Sequence, residues 1–220
     1  MGFTRRTFDK DLEELQREIL RMGSLVETAI NDAVQSLAKQ DTELAEKVMT
    51  MDDEIDRLEL LIEDHCMKLI ATQQPMAGDL RRIGMAFRII TDLERMGDHA
   101  YDIAKITLKI GSKPLIKPLI DIPRMAGLAQ KLVKNCLDAY VQSDVELAKT
   151  MHQEDDEVDR LYAEVTEELM DMMSNKPETV FQAINLINVA RYIERIADHA
   201  TNIGDAIVFS VTGERQNEKN

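Results

Sequence analysis

Apolar side chains recur along this chain with the 3.6-residue period of an α-helix from its start almost to its end. Phe8, Leu12, Leu15, Ile19, Met22, Val26, Ile30, Val34 and Leu37 form one long stripe with polar residues between them. Asp41 then stands at an N-cap position ahead of a second stripe, Leu44, Val48, Met51, Ile55, Leu58, Ile62 and Leu69. Gln73-Gln74-Pro75 breaks that helix, and a third runs from about Ala77 to Ile110, where Gly111-Ser112-Lys113-Pro114 stops it. The second half follows the same plan. A fourth helix spans Leu119 to Gln142, Asp144 caps a fifth, Asn175-Lys176-Pro177 breaks it, and a sixth ends near Val211. Helices of about thirty residues are roughly 45 Å long. A single apolar stripe on each cannot be hidden by one helix alone, so the expectation is an all-α fold of six long helices packed side by side.

The helices fall into two copies of one unit. Asp52-Asp53-Glu54-Ile55-Asp56-Arg57-Leu58 returns as Asp155-Asp156-Glu157-Val158-Asp159-Arg160-Leu161, 103 residues later. Glu94-Arg95-Met96-Gly97-Asp98-His99-Ala100 returns as Glu194-Arg195-Ile196-Ala197-Asp198-His199-Ala200 after 100 residues. The missing three residues belong at the second inter-helix turn, where length is free to vary. The reading is two tandem three-helix bundles related by an internal pseudo-twofold repeat, over 1–112 and 113–213, with a disordered polar tail over 214–220.

Composition narrows what such bundles can do. With 41 acidic against 27 basic residues the formal net charge is −14, so phosphate neutralisation is out of reach and a nucleic-acid partner is not expected. An anionic bilayer would repel the molecule as a whole. No apolar run approaches the ~18 residues of a membrane span. Thr4-Arg5-Arg6-Thr7-Phe8-Asp9-Lys10 superficially resembles a twin-arginine export signal, but an amphipathic helix follows it and no apolar core, so a cytoplasmic location is expected. Cys66 and Cys136, far apart and outside any CxxC spacing, read as reduced core thiols.

Each unit carries two carboxylate pairs at i, i+4: Asp52 with Asp56 and Glu94 with Asp98, then Asp155 with Asp159 and Glu194 with Asp198. That spacing stacks both side chains on one helix face. Glu94 and Asp98 fall roughly 120–160° from the centre of their apolar stripe, and Asp52 and Asp56 roughly 100–140° from theirs, which points the pairs toward an outer surface. In so acidic a chain most such pairs are a solvated face. Their recurrence where the repeat is most similar favours a metal role, since oxygen-rich sites suit hard cations such as Mg²⁺, Mn²⁺ or Fe³⁺. His99 and His199 lie about 100° round the helix from the last acid and are expected to bond between helices rather than ligate. His65 reads as a partly buried, satisfied histidine. The recurring Arg57, Arg95, Arg160 and Arg195 read as partners of neighbouring acids. No histidine has Glu three residues before it, as an inward-facing di-iron bundle site requires. There is no Gly-rich phosphate loop and no nucleophile constellation, so a non-enzyme is expected. A surface multinuclear metal-dependent phosphoesterase is the second reading, and a helical oligomerisation module with merely solvating acids the third.

In combination, the repeated Asp-x-x-x-Asp and Glu-Arg-x-x-Asp-His-Ala motifs, with the opening Phe8-Asp9-Lys10-Asp11-Leu12-Glu13-Glu14-Leu15, closely resemble the PhoU family over essentially the whole chain. The resemblance implies multinuclear metal clusters on the bundle surfaces, of Fe, Mn, Mg or Zn. It places them on Asp52, Asp56, Glu94 and Asp98 in one half and on Asp155, Asp159, Glu194 and Asp198 in the other. Asp102 is available as a third acid one turn on, where the second half has Asn202, so identical metal content in the two halves is not implied. The resemblance further implies a negative regulator of the phosphate-starvation response and of phosphate uptake. Such a protein links the ATPase subunit of the Pst phosphate transporter to a PhoR-type histidine kinase and meets the membrane through those partners. Long helices with Met-rich stripes also suit a homodimer.

Overall fold

A computed structural model describes residues 2–214, with side chains from Phe8 onward; of the expected tail, 215–220 lie outside the described residues and Glu214 is exposed beyond the last helix. Six long helices follow in order: α1 (Gly2–Lys39), α2 (Thr42–Gln73), α3 (Ala77–Ile110), α4 (Asp121–Gln142), α5 (Val145–Asn175) and α6 (Val180–Thr212), with a 3-10 turn at Pro177–Thr179 ahead of α6. No strand occurs among the described residues. The all-α tandem-bundle reading is therefore the architecture of this chain.

The repeat extends to the caps. α1 and α4 each end on a residue in left-handed conformation, Gln40 at φ 52° and Ser143 at φ 53°. Asp41 and Asp144 follow, and each carboxylate accepts the backbone N–H three residues on, from Leu44 and Leu147, at 3.0 Å. These caps satisfy one of the donors a helix start leaves unpaired. The length difference lies at the second turn as expected: Gln74, Pro75 and Met76 separate α2 from α3, whereas Lys176 alone separates α5 from the 3-10 turn. The halves differ most in their first helices, of 38 and 22 residues, so that α1 runs well past the end of its counterpart α4.

α1, α2 and α3 pack as one bundle and α4, α5 and α6 as the other. They are not separate bodies. α3 packs along α6, α1 packs along α4, and a single apolar core runs through both bundles. Contacts along the α3–α6 seam give its polarity. Arg81 Nε donates to the Ser210 carbonyl, His199 meets Asp92, and the His99 ring faces Tyr192. Residue number rises along one helix as it falls along the other, so the seam is antiparallel and the pseudo-twofold axis passes through it. Cys66 and Cys136 are buried and unbridged, as expected of core thiols. The connection from α3 to α4 is tied down on both sides. Gln40 donates to the Gly111 and Lys113 carbonyls at 2.8 and 2.7 Å, and Gln182 donates to the Pro114 carbonyl at 2.8 Å and accepts from the Ile116 N–H at 3.0 Å.

Candidate functional site

Asp52 and Asp56 stand on α2 beside Glu94 and Asp98 on α3, and Asp155 and Asp159 on α5 stand beside Glu194 and Asp198 on α6. Each set is drawn together across a helix–helix groove closely enough that its members oppose one another's ionisation. Burial, followed by repulsion from Asp56 and Asp98, pushes the Asp52 carboxyl up to about 6. Burial and Asp98 push Glu94 up to about 7, against the pull of Arg95. Burial, then Asp159, Asp198 and Glu194, push Asp155 up to about 7. Asp56, Asp159 and Glu194 are raised as well, burial being the largest cause in each. Loss of hydration and crowding by like charge both favour the protonated form.

The expectation that every pair points outward holds for Asp56, Asp159 and Asp198, which are exposed, and fails for the others. Asp155 is 9% exposed, and Asp52, Glu94, Asp98 and Glu194 are half-buried. An angle of about 100–140° from the apolar stripe is where a neighbouring helix closes a groove, so a residue there is solvated only if no neighbour is present. The groove is tight. A Cβ at Gly97 would stand 3.0 Å from Ile55 Cδ1 and 3.5 Å from Asp52 Oδ1.

One oxygen in each set lacks a partner. Asp52 Oδ1 and the equivalent Asp155 Oδ1 are buried without a hydrogen bond. An unpaired carboxylate oxygen buried against other carboxylates is costly as it stands, and it is the arrangement that a hard cation would satisfy. By that test the residues fit a metal. They do not form a finished cage: among the described residues, no three His, Cys, Asp or Glu side chains are gathered as a metal-ion site. In the first half a guanidinium supplies part of the missing positive charge, Arg95 lying 3.2 Å from Asp98 Oδ2 and 3.4 Å from Glu94 Oε2. Arg195 makes no such ion pair among the described residues.

Asp102 departs from the expected ligand set in its surroundings. Lys105 lies 3.6 Å from it, and the Tyr192 hydroxyl donates to it from the other half, which ties it to the seam. Asn202 is exposed. The histidines bridge helices: His199 Nδ1 is 2.9 Å from Asp92 Oδ1 on α3, and His65 Nδ1 is 2.7 Å from Glu18 Oε2 on α1. His99 stacks on Tyr192 with centroids 5.5 Å apart and tilts against His199 at 5.7 Å, and burial, the largest cause, pushes it down to about 4. The seam partners Asp92 and Tyr192 escaped the sequence reading, although the 100-residue offset that aligns His99 with His199 also aligns these two. Arg57 and Arg160 pair with Glu54 and Glu157 on their own helices, as expected. The inter-helix ties Arg21–Glu54 and Arg124–Glu157, which repeat at 2.9 and 2.8 Å, have no mark in the sequence beyond the 103-residue offset.

Among the described residues no helix is long and apolar enough to cross a membrane. Comparison with known proteins matches the chain to the PhoU domain twice, over residues 19–107 and 122–207. A phosphate-specific transport system accessory protein PhoU homolog of Clostridium acetobutylicum is 40% identical over 96% of this chain and 97% of its own length. A homolog of the same description from Aquifex aeolicus is 42% identical over 93% of each chain. In three dimensions the chain is similar to the crystal structure of PhoU from Pseudomonas aeruginosa, with a TM-score of 0.91 and 35% identity over 94% of this chain and 100% of that one. It is also similar to the phosphate transport system regulatory protein PhoU from Streptococcus pneumoniae, with a TM-score of 0.89 and 29% identity over 96% of this chain and 100% of that one. With the repeat, the helix order and both domain matches in agreement, this chain belongs to the PhoU family.

Proposed function

We propose that this protein is a non-enzymatic accessory regulator of a phosphate-specific transport system. The observation that carries the reading is similarity over nearly the full chain to relatives named as accessory proteins of such systems. In this reading it acts in the cytoplasm as a homodimeric adaptor. It joins the transporter's ATPase subunit to a PhoR-type histidine kinase and restrains both uptake and the starvation response. A scaffold of two bundles fused through one core suits that task, because an adaptor needs fixed surfaces more than an enclosed reaction site.

Metal binding is part of the proposal. Asp52, Asp56, Glu94 and Asp98 would hold one site and Asp155, Asp159, Glu194 and Asp198 the other, with Asp102 at the edge of the first. The unpaired Asp52 and Asp155 oxygens support it. A bound Fe, Mn, Mg or Zn ion supplies charge neutralisation in the groove. The chain's own groups position the carboxylates and keep one oxygen of each site away from water.

Two experiments test the reading. The Glu94→Gln, Asp98→Asn, Glu194→Gln, Asp198→Asn variant should lose bound metal by elemental analysis while its far-UV circular dichroism stays unchanged; undiminished metal removes the site assignment. Pull-down with the transporter ATPase and the kinase tests the adaptor role, and failure to bind either removes it.

A further inference from the structure

One end of the α3–α6 seam differs in chemistry from the rest of this acidic molecule. Val180, Phe181 and Ile184, on the first two turns of α6, are 37%, 45% and 48% exposed. Lys109 of α3 and Lys113 of the connection hold their ammonium groups 5.5 and 5.6 Å from the Phe181 ring centroid, a cation–π distance. Neither lysine makes an ion pair among the described residues. Lys105, one turn back on α3, lies 5.1 Å from the Tyr101 ring, and Arg191 is exposed farther along α6. By helical arithmetic Phe181, Ile184 and Arg191 fall within an arc of about 80° on α6 with no acid between them. Asp102, the acid on the α3 side, is already engaged by Lys105 and Tyr192. Exposed Glu178 is the acid closest in sequence, one turn before Phe181.

The repeat supplies an internal control. At the opposite end, the positions equivalent to Phe181, Ile184, Lys105, Lys109 and Lys113 hold Arg81, Gly84, Asp205, Phe209 and Gly213. The far end has exposed Met76 and Leu80 and the cation Arg82 of its own, with Asp9, Glu13 and Asp79 lining the cavity there, and the fold is made at that end without this set.

We propose that this cationic and apolar end docks on an anionic phospholipid bilayer. Apolar side chains raised on a helix start and flanked by lysines match what an interfacial surface requires: burial of the former among acyl chains and attraction of the latter to anionic headgroups. The formal charge of −14 does not forbid it. From Phe181 to Glu194, the nearest of the α6 groove acids, the helix advances about 20 Å, more than two screening lengths at physiological salt. The groove acids are therefore screened from this end, and the acids its cations must offset are Glu178 and Asp41, the latter beside the Gln40 that bonds the Lys113 carbonyl. The inference goes beyond the adaptor reading, because vesicles contain neither the transporter nor the kinase.

Co-sedimentation with protein-free vesicles tests it. The full chain should bind phosphatidylglycerol-containing vesicles and not pure phosphatidylcholine vesicles, with binding that weakens as salt is raised. Lys109→Glu with Lys113→Glu should lower partitioning by at least about 25-fold. Phe181→Ser with Ile184→Ser should lower it with circular dichroism unchanged, while Leu80→Ser, at the equivalent of Val180 on the far end, should leave it intact. No binding to anionic vesicles overturns the proposal, as does binding unaffected by the lysine reversals or lowered equally by Leu80→Ser. Retention on an immobilised poly-glutamate matrix with no vesicle binding also overturns it and assigns the surface to an acidic protein instead.

Discussion

The two carboxylate grooves began from one motif and no longer have the same chemistry. In the first, Arg95 sits against Glu94 and Asp98, Gly97 lets α2 approach α3, and Asp102 adds a fifth acid near Asp52. In the second, Arg195 makes no matching pair, Ala197 replaces Gly97, and Asn202 replaces Asp102. Asp155 is also more deeply buried than Asp52 and pushed further, to about 7 rather than about 6. The first groove thus has a counter-charge in direct contact with its acids, while in the second Arg195, Arg191 and His152 act on Glu194 and Asp155 only from farther away. Duplication copied the geometry of the carboxylates and left their counter-charges free to diverge.

That comparison can be broken at its strongest point through packing. A Cβ on Gly204 would stand 2.9 Å from Met151 Sδ and 3.0 Å from the Ala148 carbonyl oxygen, whereas its equivalent in the first half is a buried Ala104. Gly204→Ala must displace backbone of α5 and should cost about 2–3 kcal/mol in urea unfolding. Ala104→Gly should cost only about 1 kcal/mol, the ordinary helix penalty. Equal costs would mean that α5 and α2 sit alike against their partners.

The next effect is electrostatic. In metal-free protein at pH 8, Asp155→Asn should raise stability by about 1–2 kcal/mol, and Asp52→Asn by less. The same substitutions should abolish any stabilisation by added divalent cations, so the sign of the effect should reverse with metal. The pH dependence follows from the same groups. Their folded pKa values lie above the unfolded ones, so the native state binds more protons between about pH 4 and 7. Metal-free protein should therefore lose thermal stability as pH rises through that window, and saturating metal should flatten the profile. A melting temperature that climbs with pH in the chelated protein would contradict the burial of these carboxylates. The smallest effect is where the halves should agree. Asp41→Ala and Asp144→Ala each remove the same cap and should each cost about 1 kcal/mol.

Much of this was legible along the chain because helix ends are local chemistry. Asp41, Asp144, the breaks at Pro75 and Pro177 and the stop at Gly111 all mark boundaries that the fold places within a few residues. So do the repeat and its shortened second turn. Which acids belong together could also be read, since i, i+4 spacing and two offsets suffice. How deep they lie could not. Periodicity gives an angle from the stripe, and only the position of α3 beside α2, or of α6 beside α5, decides whether that angle faces water or a groove. The same limit hid the seam, because nothing local in Tyr192 or Asp92 says that the opposite repeat will meet it with His99 or His199.

The antiparallel seam has a topological consequence. α3 ends and α4 begins at one end of the molecule, while the early turns of α1 and the last turn of α6 lie together at the other, around a cavity of about 780 Å³ lined by Leu12, Leu15, Tyr140, Ser210 and Val211. Leu12 and Leu15 of α1 and Ser210 and Val211 of α6 thus share one cavity wall, and the first turns of α1 extend beyond it. Joining the end of α6 to α1 by a linker that spans the α1 overhang, and opening the chain at Ser112, would leave every helix against its present neighbours. The halves would then be interchangeable in order, and which one is made first would be an accident of the gene rather than a property of the fold.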